Sequence, residues 1–250
     1  MNGELMNMVQ MTIMAKYYIR TGEMNESLTN NSKIGSMHFT FAEQDFGEKA
    51  PAAEIDSKAE WLKMLVKRGA EDVKLLVIDE IDNFDRLALV NGMPCCMLCF
   101  YVGGVTSWNK KWSYNDETKA WDVHFVETVC HNTPPEKPKF QDITQPFVTL
   151  LERIRGLAQK LGLGEFAFKF SAALGSLQAD FVHGDAAMTP AHHRLLSAAI
   201  QAYVFGGEGS WNDKAKFAAA GKGLSEEYQE LTSDLYRGIA LACMYAANEW

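Results

Sequence analysis

Residues 107–126 constrain the fold of this chain more than any other segment. Trp108, Trp112, Tyr114, Trp121, Val123 and Phe125 alternate with Asn109, Lys111, Ser113, Asp122 and His124. A period of two sends the two sets to opposite faces of paired strands, one buried and one wet. A turn at Asn115–Thr118 places Trp112 opposite Trp121 and Tyr114 opposite Lys119. Rings of this size can each bury ~150–250 Å² and need a cover. The expectation is an antiparallel hairpin with Trp112 and Trp121 mostly buried against a helix of the C-terminal half.

That half supplies helices. Phe147, Leu150, Leu151, Ile154, Leu157, Ala158 and Leu161 recur at helical spacing over 145–161. Thr144 is placed to cap this helix, Pro146 suits its first turn and Gly162 ends it. A second helix starts at Thr189-Pro190 and runs to Phe205. A third starts near Ser225, with a stripe of Tyr228, Leu231, Leu235, Ile239, Ala242 and Ala246. Residues 165–182 fit either periodicity. Asn132–Pro138 holds three of the seven prolines and suits neither a helix nor a central strand.

The first half reads mainly as strands. Met37–Phe41 alternates, Val73–Ile78 is a continuous apolar run, and 87–90 and 95–102 flank a turn at Asn91-Gly92. Residues 57–69 read as a helix, capped by Ser57, with Trp61, Leu62, Leu65 and Val66 on one face and Gly69 as the stop. Residues 23–33 read as loop, and 1–56 are the least legible part. The expected class is α+β, an antiparallel hairpin-built sheet from the first half packed on helices from the second. Residues 1–250 are expected to form one domain, with the Pro-rich loop 132–146 as the candidate internal boundary.

A chain of 250 residues, 47% of them apolar, buries enough surface to fold without a disulfide or metal staple. Its net charge of −8 favours solubility and opposes nucleic acid as a partner. No run approaches the ~20 apolar residues that a membrane span needs. The Met-rich N-terminus lacks the basic residues of a signal peptide. Five cysteines, three of them within 95–99, read as reduced thiols of a cytoplasmic protein.

Five motifs suggest chemistry, and spacing decides each. Lys74–Glu80 resembles the Walker B segment of P-loop ATPases, which would make Asp79 a magnesium ligand and Glu80 the group that activates water. That chemistry requires an upstream phosphate loop, and the sequence has none. Asp79, Glu80, Asp82 and Asp85 lack EF-hand spacing. His183-Gly184-Asp185 resembles the catalytic loop of aminoglycoside phosphotransferases, which would make Asp185 the base. The metal-binding Asn of that loop would fall at position 190, which is Pro190. Cys96 and Cys99 on a strand face opposite sides, and Cys95 and Cys99 lie about 13 Å apart, so neither pair chelates one ion. His192 and His193 are adjacent and point ~100° apart on a helix. His192 joins Leu195, Leu196 and Ala199 on the apolar face, as a hydrogen-bonded histidine at the core edge. Neither metal nor cofactor is expected.

Gly206-Gly207-Glu208-Gly209-Ser210-Trp211-Asn212-Asp213 remains. Gly206 suits a helix terminus, and Asn212 or Asp213 suits the start of the next helix. Three glycines beside a tryptophan in a loop mark a candidate binding surface of Gly206, Gly207, Gly209, Trp211, Asn212 and Asp213. Two function classes follow. The leading one is a non-enzymatic binding protein acting through its acidic surface or this loop, with a protein as the expected kind of partner. The other is a hydrolase or transferase whose site gathers scattered residues from among Asp79, His124, His183, Asp185 and His192.

Overall fold

In chain order the described residues form α1 (Gly3–Thr21), β1 (Ile34–Phe41), β2 (Ala53–Ile55), α2 (Lys58–Lys67), β3 (Ala70–Val77), β4 (Cys95–Tyr101), β5 (Gly104–Asn115) and β6 (Ala120–Val129). There follow α3 (Thr144–Leu161), α4 (Gly164–Gln178), α5 (Pro190–Ala202), α6 (Trp211–Lys222) and α7 (Ser225–Asn248). The computed structural model describes residues 3–25, 33–44, 46, 49–78, 93–131, 136–180 and 187–250. The turn at Asn91-Gly92, the acidic cluster 79–85, and His183 and Asp185 lie outside the described residues. The chain divides into two compact units. One comprises Met8–Leu76 and Cys95–Lys139 and carries the sheet; the other comprises Met1–Asn7, Val77–Pro94 and Phe140–Trp250 and carries α3–α7.

The aromatic hairpin forms, but its turn sits elsewhere. Tyr114 pairs with Trp121 and Asn115 with Ala120, so the turn is 116–119 rather than Asn115–Thr118. Asn115 Oδ1 accepts from the amides of Glu117 (3.0 Å) and Thr118 (3.2 Å), which lengthens the strand by fixing the turn beyond it. Lys119 closes the turn at φ 53°. The register moves by two relative to expectation, so each side chain keeps its face.

The sheet is mixed, not antiparallel throughout. Its strand order is β2-β1-β6-β5-β4-β3, and β1 runs parallel to β6. The first half also contains two helices. Within α1, Asn7, Thr12 and Lys16 are buried among apolar residues and break the periodicity that would reveal a helix. Lys16 donates to Asp72 at 2.7 Å, and Thr12 returns its hydroxyl to Met8 O.

The cover over the aromatic face comes from α2, within the sheet's own unit. Trp61 stacks on Phe39 at 4.9 Å and meets Trp108 edge-on at 5.8 Å. The expectation for Trp121 fails, because it is 37% exposed beside a half-exposed Tyr114. Trp112 is half-buried, 6.0 Å from Trp121. Trp61 of α2 meets Phe39 and Trp108, whereas Trp112 and Tyr114 meet Trp121 at the turn end of β5 and β6. Ser57 caps α2 through the Glu60 amide, as expected, but Val66 is exposed.

Glu127 and Arg68 form a buried polar cluster in this core. Glu127 accepts from Thr106 Oγ1 (2.7 Å), Tyr101 Oη (3.0 Å) and the Ala42 amide (3.1 Å). Arg68 Nη1 lies 3.5 Å from the carboxylate and donates to Ala42 O at 2.7 Å; Nη2 donates to Pro51 O. The guanidinium also sits over the Phe41 ring. Burial pushes the Glu127 carboxyl above its ordinary value, against the pull of these donors.

In the helical unit, α3 begins at Thr144, so Thr144 is its first residue and not its cap; the N-cap is Ile143, without a side-chain cap, and Asp142 accepts from the Thr144 amide and hydroxyl. Gly162 ends it at φ 80°. Residues 164–178 form a helix that buries Phe166, Phe170 and Leu174 while Phe168 points outward. α5 stops at Ala202, short of Phe205.

Candidate functional site

The polar face of β1 and β6 gathers a hydrogen-bonded set of reactive side chains. Parallel pairing puts Ser36 beside Asp122, His38 beside His124 and Thr40 beside Val126. Their neighbours Met37, Phe39, Val123 and Phe125 point into the core, which fixes both strands and so the spacing above them. Ser36 Oγ donates to Asp122 Oδ1 at 2.6 Å and lies 3.1 Å from His38 Nε2. His38 Nδ1 is 2.6 Å from Asp56 Oδ1, just after β2. On the adjoining strand His124 Nε2 is 2.8 Å from Thr40 Oγ1, and the two imidazoles meet edge-on at 6.3 Å. The side chains of His38 and Asp56 are 45% and 80% exposed.

A bulge places Ser36. The register steps from Ile34↔Trp121 to Ser36↔Asp122, leaving Gly35 as the extra residue. A Cβ at Gly35 would stand 3.0 Å from the Ala120 Cβ. Glycine therefore allows the close approach that brings the Ser36 hydroxyl onto Asp122.

Of the residues singled out from sequence, His124 belongs to this array, on the wet face where alternation puts it. Ser36, His38 and Asp56 were not anticipated. The signal was present in Ser36-Met37-His38-Phe39-Thr40, where every second residue is polar. Asp56 joins through pairing of β1 with β2, which leaves no local trace in sequence.

His192 lies in the helical unit and does not join the array. It is 8% exposed, its Nδ1 is 2.6 Å from Thr189 Oγ1, and its ring stacks on Tyr245 at 5.0 Å. Burial pushes its imidazole below the ordinary value, against the pull of Asp142. Asp142 is itself held below the usual carboxylate range, first by the Thr144 hydroxyl. This is a packed helix terminus with one buried ring.

The Gly206–Asp213 loop is pinned from beneath. Trp211 is fully buried, between Phe166 (5.4 Å), Phe170 (5.5 Å) and Tyr228 (6.0 Å). Its Nε1 donates to Thr232 Oγ1 at 2.9 Å. Asn212 bridges the loop, accepting from the Gly206 amide and donating to Gly206 O. Gly207, Glu208 and Gly209 are exposed above this anchor.

All five cysteines are free. Cys96 packs on Leu98, Phe100 and Val105 together with Cys130. Cys99 is buried on the side of Tyr101 and Glu127. Burial raises the Cys96 thiol to about 11. Among the described residues no group of three or more His, Cys, Asp or Glu is placed to hold a metal, and no helix is long and apolar enough to cross a membrane. Comparison with protein-family models, curated proteins and solved structures finds no match for this chain.

Proposed function

We propose that this chain is a binding protein whose recognition surface is the solvent face of β1 and β6. The observation that carries the reading is the hydrogen-bonded array of Ser36, His38, Asp56, Asp122, Thr40 and His124 on paired strands. These groups are held in place before any ligand arrives, so less side-chain entropy is lost on binding. Hydroxyls, imidazoles and carboxylates in alternation suit a partner rich in donors and acceptors, and a protein surface is the expected kind. The Gly206–Asp213 loop is a second candidate surface, favoured by the exposure of Gly207–Gly209 over a fixed anchor.

The test compares wild type with a Ser36→Ala/His38→Ala/His124→Ala variant. His124 is exposed and Ser36 and His38 are half-buried on the solvent face, so each substitution forfeits about one hydrogen bond, ~1 kcal/mol, and the fold persists. A partner identified by affinity capture and rebound in purified form should bind the variant at least ~10-fold more weakly, ~1.4 kcal/mol. Undiminished binding by the variant, with loss in a Gly207→Asp/Gly209→Asp variant, would move the surface to the loop.

A further inference from the structure

We infer that the same face carries an acyl-transfer centre, with Ser36 as nucleophile, His38 as general base and Asp56 as the group that positions the imidazole. The inference rests on the reading of this face as the functional surface. It also needs the reactive connectivity, which is on hand: a hydroxyl 3.1 Å from Nε2 and a carboxylate 2.6 Å from Nδ1 of one histidine. A nucleophile within hydrogen-bond reach of a base, itself oriented by a third group, is the signature of covalent catalysis by serine. Its recurrence on unrelated folds means that geometry identifies it, without any family likeness.

The Ser36 proton has two acceptors. On Asp122 it leaves the serine resting; turned toward His38 Nε2 it primes the attack. Ser36 Oγ then bonds to the carbonyl carbon of an ester, and the hydroxyl proton passes to His38 Nε2. The ester C–O bond breaks, and the alkoxide takes that proton and leaves as the alcohol. Water attacks the acyl-serine, gives its proton to His38, and the carboxylic acid departs as the proton returns to Ser36. The balance is ester plus water to acid plus alcohol. Gly35, outside the β1–β6 register, supplies the main-chain amide assigned to the oxyanion. The described side chains that surround Ser36 on this face, His38, Asp122 and His124, are polar, so the substrate class is a short-chain carboxylic ester.

The experiment uses the full chain and a fluorophosphonate probe, with the modified peptide mapped by mass spectrometry. The probe should label Ser36, and Ser36→Ala should abolish this label. His38→Ala should slow labelling by ~10²-fold or more, the scale of general-base catalysis. Asp56→Asn should slow it with an unchanged melting temperature, and Asp56→Glu should restore part of the rate. Asp122→Ala should accelerate labelling, because it removes the competing acceptor. p-Nitrophenyl acetate should give a burst of nitrophenol that Ser36→Ala lacks. No label on Ser36, a rate indifferent to His38→Ala, or a slower Asp122→Ala variant would each overturn the assignment. If labelling fails while the triple-alanine variant still loses its partner, the binding reading stands alone. If both fail, this face is not the functional surface.

Discussion

Arg68→Ala should destabilise the protein by ~3–5 kcal/mol, because it leaves the Glu127 carboxylate uncompensated in the core. Arg68 is 2% exposed and Glu127 4%. The substitution also strips the donors from Ala42 O and Pro51 O. Against a total stability of ~5–15 kcal/mol this is a large share. The loss should depend on pH. Glu127 has a folded value above its unfolded one, so the native state holds this proton more tightly. The cost of burying the charge is absent below the unfolded value and grows as pH rises through the folded value. Removing Arg68 takes away one pull toward the charged form and widens that window. Urea titrations at neutral pH and near pH 5 should therefore show a gap between wild type and Arg68→Ala that narrows in acid. An Arg68→Ala/Glu127→Gln variant should show a gap that no longer changes with pH. A neutral-pH gap below ~1 kcal/mol would mean that the pair is solvated.

Trp211→Ala should cost about as much, ~3–5 kcal/mol, as expected for deleting a fully buried indole. The ring fills the space between Phe166, Phe170 and Tyr228, and its N–H is the partner of the buried Thr232 hydroxyl. Trp211→Phe keeps most of the ring contact but orphans Thr232, costing ~1–3 kcal/mol. Adding Thr232→Val should recover much of that loss, since neither polar partner then remains. Denaturant unfolding of wild type, Trp211→Phe, Thr232→Val and the double variant gives the cycle. A Trp211→Ala variant of unchanged stability would place the indole outside the core and make the loop the stronger binding candidate.

Both effects concern residues whose surroundings the sequence hides to different degrees. Trp211 was visible as an apolar anomaly in a glycine loop, and its anchoring role follows from simple burial. Glu127 gave no sign, because its partners Arg68, Tyr101 and Thr106 come from three other segments. The hairpin faces were legible, since a period of two survives a register change of two. The turn was not, because the Asn115 side chain, rather than the residue types of the turn, decides where the strand ends. Helix α1 was illegible because Asn7, Thr12 and Lys16 are polar yet buried, so no apolar stripe stands out.

The parallel pairing of β1 with β6 is the least local pairing among the described strands, joining Ile34–Thr40 to Trp121–Val126. No turn chemistry announces it, and with it went half of the site. His124 could be placed on the wet face from its own strand. That Ser36 and His38 stand beside Asp122 and His124 requires the partner strand. Pairing of β1 with any other strand would disperse the array.

The most direct measurement is therefore an NMR experiment on the imidazoles. The His38 and His124 rings should show mutual nuclear Overhauser effects, consistent with a centroid separation of 6.3 Å. The His38 Nδ1 proton, 2.6 Å heavy atom to heavy atom from Asp56, should resonate far downfield and vanish in Asp56→Asn. Rings without mutual effects, and a His38 Nδ1 signal indifferent to Asp56, would contradict the strand pairing on which the proposed surface depends.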